Sequence, residues 1–127
     1  MELKGRTINK GTAEGIALVS ESPISFYGGV DPETGKITDR ENKLFGQSIK
    51  DAMLVFPFGS GSTVGPYVIY RLKKKGLAPK AIINRECETI VAVGAIIADI
   101  PCADKIDISK IKAGDKLRLE DGKVTLG

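Results

Sequence analysis

Along the first twenty residues, apolar and polar positions alternate in short runs around Gly5, Gly11 and Gly15. Period-two alternation of this kind predicts two short strands between Leu3 and about Val19, with Gly15–Val19 the better formed. Ser22–Phe26 can extend the same sheet, Pro23 marking an edge or a strand start. Gly28-Gly29-Val30-Asp31-Pro32-Glu33-Thr34-Gly35 then packs three glycines and a proline into eight residues, which predicts a pair of tight turns. Ala52–Phe56 is a continuous apolar run of strand length, as expected of a strand buried on both faces. It runs into Pro57-Phe58-Gly59-Ser60-Gly61-Ser62-Thr63-Val64-Gly65.

A helix follows from about Thr63 to Lys75. Val64, Val68, Ile69 and Leu72 fall at helical spacing, Lys73–Lys75 occupy the last turn, and Gly76 and Pro79 mark the stop. Ala81–Asn84 is a second short buried strand, so this region reads as strand, Gly-rich loop, helix, strand. Glu88–Ile100 is apolar almost throughout. Its β-branched content leaves helix and strand close, and alanines at 92, 95 and 98 favour a short buried helix. Near the end, Lys116–Leu119 and Lys123–Leu126 flank Asp121-Gly122, the signal for a β-hairpin. The predicted class is mixed α and β, a curled sheet or small barrel with packed helices, formed by residues 1–127 as a single domain.

Composition narrows the chemistry. Charged residues at 28%, with no long uncharged apolar run, exclude a membrane-spanning protein. Nineteen Lys and Arg against 16 Asp and Glu give a net charge of +3, too mild to point to nucleic acid. There is no His, which removes Ser-His-Asp and Cys-His relays and imidazole bases. The two cysteines, Cys87 and Cys102, cannot hold a Cys₄ zinc or an iron–sulfur cluster unaided. With no signal or transit pattern at Met1–Lys10, they read as reduced, partly buried thiols of a cytoplasmic protein.

The sharpest local feature is Gly59-Ser60-Gly61-Ser62-Thr63. A Gly-rich turn between a buried strand and a helix start leaves N–H groups unpaired where the helix dipole is positive, and so favours a carboxylate or phosphate. A serine hydroxyl held there can donate to an anion, or accept a proton if its alkoxide is stabilised by the same N–H groups. Ser62 or Thr63 can equally be a simple helix N-cap. The loop is not a Walker A motif, since no Lys lies between Lys50 and Lys73, and its glycines do not read GxGxxG. Gly28 and Gly29, beside Phe26 and Tyr27, can form a pocket wall or a partner surface. Asn84 ends a buried strand where ligand-binding side chains tend to lie, or makes a local turn.

Four ordered blocks carry a family resemblance: Ser25–Gly35, Phe58–Gly65, Ala78–Asn84 and Ile90–Pro101. Together they resemble the small subunit of the aconitase X type, over nearly the whole chain. The resemblance implies the swivelling β/β/α domain of aconitase. It also implies a heterodimer with a separate large subunit that carries a 4Fe-4S cluster, while this chain binds no cofactor or metal alone. The implied reaction is dehydration of (R)-5-phosphomevalonate to trans-anhydromevalonate 5-phosphate in an archaeal mevalonate route. Matched onto the Gly-x-Gly-Ser pattern, the proton-abstracting serine is Ser62, with Gly59, Ser60, Gly61 and Thr63 shaping the pocket for a small anionic substrate. Gly28, Gly29 and Asn84 are further pocket or contact candidates. Where aconitase continues with an arginine, this chain has Thr63, Val64, Gly65 and Pro66, so the cationic help is expected from the large subunit. The alternatives are a related hydro-lyase for another substrate such as a hydroxyproline, and a non-catalytic anion-binding interaction module.

Overall fold

In the computed structural model, which describes residues 1–127, eight strands alternate with short helices. The strands are β1 (Glu2–Lys4), β2 (Arg6–Asn9), β3 (Thr12–Val19), β4 (Met53–Phe56), β5 (Ala81–Asn84), β6 (Cys102–Asp104), β7 (Lys116–Glu120) and β8 (Lys123–Leu126). The helices are α1 (Phe26–Gly29, one distorted turn), α2 (Gly65–Lys74) and α3 (Thr89–Ala98). The strands form one sheet in the order β1-β8-β7-β3-β4-β5-β6-β2. β3, β4, β5 and β6 run parallel, and the remaining pairings are antiparallel.

The two outermost strands of this sheet, β1 and β2, are consecutive in the chain and separated only by Gly5. Neighbouring Cα atoms are about 3.8 Å apart, so the sheet must curl until its edges meet at that residue. Gly5 donates its N–H to the Gly122 carbonyl (2.8 Å), and a Cβ on it would lie 2.1 Å from the Asp104 carbonyl oxygen. No side chain fits at this seam. Next to it Arg6 donates two hydrogen bonds to the fully buried Asp104 carboxylate (2.9 and 2.8 Å), which also accepts the Cys87 N–H (2.9 Å).

Curling splits the apolar residues into two cores. Met53, Val55, Ala81, Ile83, Ala103, Leu117, Leu119 and Val124 fill the inside of the curl. Leu54, Phe56, Ile82 and Ile100 face outward onto α2 and α3 through Ile69, Leu72, Val91 and Ala95. β4 and β5 are therefore buried on both faces, as their unbroken apolar runs predict. α3 is a helix because Val91, Gly94, Ala95 and Ala98 recur at its core-facing spacing. Its first N–H groups, those of Ile90 and Val91, are capped by the Glu88 carboxylate (3.0 and 2.9 Å).

Several local expectations change. The opening segment forms three strands rather than two, because Gly5 and Gly11 each interrupt the run. Ser22–Phe26 is not a strand: it contributes one parallel bridge, Ile24 to Gly59, before the chain turns into α1. α2 starts at Gly65, two residues beyond Thr63, with Pro66 in its first turn. Lys75 and Arg71 close an ion-pair cluster on Glu33, tying the end of α2 to the Asp31–Gly35 turn. Cys87 and Cys102 are unbonded thiols 4.0 Å apart, Cys87 half-buried but Cys102 fully buried. The Cys87 contact, then burial, pushes the Cys102 thiol far up, so it stays neutral. No helix is long and apolar enough to cross a membrane.

Burial alone would raise the Asp104 carboxyl, but the bonds from Arg6 and the Cys87 N–H and the charges of Arg6 and Lys105 outweigh it and hold it below the usual carboxylate range. A depressed folded-state value gives a stabilisation that is complete above the unfolded value near about 4 and vanishes as pH falls through the folded value. Asp104→Asn should lower the unfolding free energy at neutral pH by about 1–3 kcal/mol. In urea titrations from pH 7 to 2, its gap to the unsubstituted chain should close on the acid side. A gap independent of pH would remove the charge from the explanation.

Candidate active site

The chain leaves the C-terminal end of β4 at Phe56 and reaches α2 through residues 57–64, so the Gly-Ser loop lies over the ends of the parallel strands. Open α/β sheets bind ligands on that side. Ser60 donates its N–H to the Ile24 carbonyl (3.0 Å), and Ile24 donates to the Phe58 carbonyl (3.3 Å), which fixes the near side of the loop. Gly61 then takes φ +88, a left-handed conformation, and a Cβ on it would lie 2.1 Å from the Ser25 hydroxyl oxygen. Gly59 is as tightly enclosed: a Cβ there would stand 2.3 Å from Val91 Cγ2 and 2.6 Å from Glu88 Oε1. The loop thus rests on the capped start of α3 on one side and on Ser25 on the other.

Held in this way, Ser62 is half-buried. Its hydroxyl oxygen accepts the Val64 N–H (3.2 Å), and its carbonyl accepts the Gly65 N–H (3.0 Å). The hydroxyl braces the turn that precedes α2, but neither Ser62 nor Thr63 is the helix N-cap, which is Val64 with no side-chain cap. This bracing does not compete with chemistry, because an N–H donated to Oγ favours the alkoxide over the neutral hydroxyl. The N–H groups of Gly61, Ser62 and Thr63 have no acceptor in the chain. Three consecutive unused donors in one turn, just ahead of a helix with no acidic residue in its first turn, suit an anion. Ser60 and Thr63 are exposed on its rim.

Gly28 and Gly29 reach the loop indirectly. Ser25, against which Gly61 packs, donates its hydroxyl to the Tyr27 carbonyl (2.8 Å) and so links α1 to the Gly-Ser loop. Gly28 has φ +87 with open space where a side chain would stand, whereas Gly29 is buried. Asn84 is wholly buried rather than on the exposed loop: its amide nitrogen donates to the Phe56 carbonyl (2.9 Å) at the end of β4, while its Oδ1 has no hydrogen-bond partner in the chain. Ser25 and Glu88 support the loop without having been singled out. Glutamate is not one of the residue types that mark a helix N-cap in sequence, and nothing local marks Ser25.

No group of three or more His, Cys, Asp or Glu side chains could hold a metal ion. The two thiols, one of them buried and neutral, do not fit an iron–sulfur cluster.

A curled β/β/α sheet with a Gly-Ser loop above its parallel strand ends has the architecture of a swivelling domain. Residues 2–126 match the model of the aconitase X swivel domain, and the chain belongs to that family. It is 62% identical over 120 residues, 94% of this chain and 90% of the relative, to the phosphomevalonate dehydratase small subunit of Thermococcus kodakarensis. To the protein of the same name from Methanocaldococcus jannaschii it is 60% identical over 117 residues, covering 92% and 89% of the two chains. The crystal structure of Thermococcus kodakaraensis aconitase X (holo-form) superposes with a TM-score of 0.99 at 58% identity, over 100% of this chain and 98% of that one.

The loop's dependence on glycine is directly measurable. Gly59→Ala should cost about 1–3 kcal/mol through overpacking against Val91 and the Glu88 cap, read as a lowered urea midpoint. An unchanged midpoint would mean that the contact with α3 yields freely.

Proposed function

We propose that this chain acts as one swivelling domain, the small subunit of a phosphomevalonate dehydratase, and that Ser62 is the proton acceptor in an active site completed by a large subunit. The names of its relatives support the reaction and the two-chain arrangement. The observation that carries the role of Ser62 is that its Oγ accepts the Val64 N–H in a turn where the N–H groups of Gly61, Ser62 and Thr63 have no acceptor in the chain.

The reaction removes a proton from C2 and hydroxide from C3 of (R)-5-phosphomevalonate, and the electrons of the broken C–H bond become the C2–C3 double bond. The C2 proton, next to a carboxylate, is only weakly acidic. Serine can take it only as an alkoxide, which needs fixed donors and exclusion of water. In this reading the loop supplies the donors: Ser62 receives the C2 proton on Oγ, and Gly59 and Gly61 keep the backbone close to the substrate. Gly28, Gly29, Ser60 and Thr63 form the rim. This chain's residues do not fit a metal, so a 4Fe-4S cluster would be held by the large subunit and would supply a Lewis acid there. The heterodimer would work in the cytoplasm.

In the reconstituted two-chain enzyme, Ser62→Ala should lower kcat by about 10²–10⁴-fold while assembly and KM change little. Losing the bond from the Val64 N–H costs about 1 kcal/mol, so rates are compared well below the unfolding range. Retained turnover with normal assembly would refute the assignment. Parallel assays with a hydroxyproline separate the related hydro-lyase from the phosphomevalonate enzyme.

A further inference from the structure

A cavity of about 590 Å³ includes the C-terminal end of β3 and Pro57, the residue after β4 from which the chain runs on to the Gly-Ser loop. Its lining holds three cations, Lys43, Arg85 and Lys112, against one carboxylate, Glu21. Glu21 pairs with Lys43 at 3.6 Å, which leaves Arg85 and Lys112 without a carboxylate partner. The floor is polar and fixed. Buried Ser20 donates its hydroxyl to the Ser22 carbonyl (2.7 Å) and accepts the amide of buried Asn42 (3.0 Å), whose own oxygen accepts the Leu44 N–H (2.8 Å).

Arg85 connects this cavity to the loop. Its backbone N–H donates to the Pro57 carbonyl (3.1 Å), and its guanidinium carbon stands 5.9 Å from the centre of the Phe58 ring, one residue before Gly59. The cavity has the size of a small-molecule site, roughly 300–1,000 Å³. A guanidinium and an ammonium with no carboxylate of their own suit a phosphate dianion, which arginine binds through two parallel N–H donors.

We propose that Arg85 and Lys112 hold the phosphate monoester of the substrate, so that this chain contributes the phosphate anchor as well as the serine. The inference rests on the dehydratase reading above. In phosphomevalonate a two-carbon arm separates the carbon that loses hydroxide from the phosphate ester oxygen, so the reacting end and the phosphate occupy separate, adjoining regions. The Gly-Ser loop and the cavity are linked through Pro57, which lines the cavity, and through Arg85, which contacts both Pro57 and Phe58. Cationic help expected from the large subunit is thereby supplied in part by this chain.

Two measurements test the assignment. The full-length chain, labelled with ¹⁵N, is titrated with inorganic phosphate. The amides of Ser20, Ser22 and Ser109 should shift saturably, and the Arg85→Met/Lys112→Met double variant should lose that response while keeping native peak dispersion. In the reconstituted enzyme, each single variant should raise KM for phosphomevalonate and the inhibition constant of inorganic phosphate together, by about 10–100-fold, with Arg85→Lys recovering part of the loss. Unchanged KM and phosphate inhibition would overturn the proposal, as would a defect seen only as weaker binding of the large subunit, which would place a partner carboxylate in the cavity. If the unsubstituted pair fails to dehydrate phosphomevalonate, the dehydratase reading fails, and the titration still decides whether the cavity takes phosphate. Shifts confined to Gly61–Thr63 would reject the cavity outright.

Discussion

The close approach of the Gly-Ser loop to the start of α3 is the constraint on which the site depends. Glu88 spends its carboxylate on the N–H groups of Ile90 and Val91, and Gly59 packs against that same carboxylate and the Val91 side chain. The cap that starts the helix is therefore also the wall that shapes the loop. A side chain at Gly59 would push against two fixed groups at once. On the far side Gly61 meets Ser25, whose hydroxyl is already committed to Tyr27. Between these contacts the backbone has little freedom, and Ser62 inherits its orientation from them. Local rigidity of this kind lets donors face a developing charge without reorganising.

The curled sheet supports that arrangement from below. Phe56, the last residue of β4, is held by the Asn84 amide and packs edge-on against Phe26 with ring centres 6.0 Å apart. Phe26 begins α1, so the buried ring pair sets the height of the α1 turn against the origin of the loop. At the opposite edge Gly5 closes the sheet and Arg6 satisfies Asp104, which in turn holds the Cys87 N–H in the connection leading to α3. Seam, strand end and helix start are consequently linked through buried polar groups with few alternative partners.

Much of this was legible wherever local pattern decides the outcome. The two-sided apolar runs of β4 and β5, the Asp121-Gly122 hairpin and the Gly-Ser loop each carry their own signal within about ten residues. The edge strands do not, since β1 and β2 pair with segments roughly a hundred residues away and their number follows from closure at Gly5. Ser22–Phe26 has strand composition, yet a single bridge at Ile24 is all the sheet offers it. The same division holds in the site. Ser62 is visible from its neighbours, whereas Ser25 becomes meaningful only when a left-handed glycine is set against it. Asn84 misleads for the opposite reason: its place at a strand end is right, but its amide is used inward.

The role proposed for Ser62 would also explain why so small a chain is suited to work in a pair. An alkoxide open to water is protonated at neutral pH, and here Ser62 is only half-buried, with Tyr27, Phe58, Val64 and Tyr67 exposed in the turns and the first helical turn around it. Donors fix where the charge can sit, but they do not remove the water that would quench it. Excluding that water requires a second surface over the loop, which a swivelling domain gains by closing on a partner. The absence of histidine becomes intelligible on the same basis. An imidazole can serve as a base in partial contact with water, whereas a serine in the proposed role would make proton transfer conditional on closure, so that the base would become effective only when the substrate is enclosed.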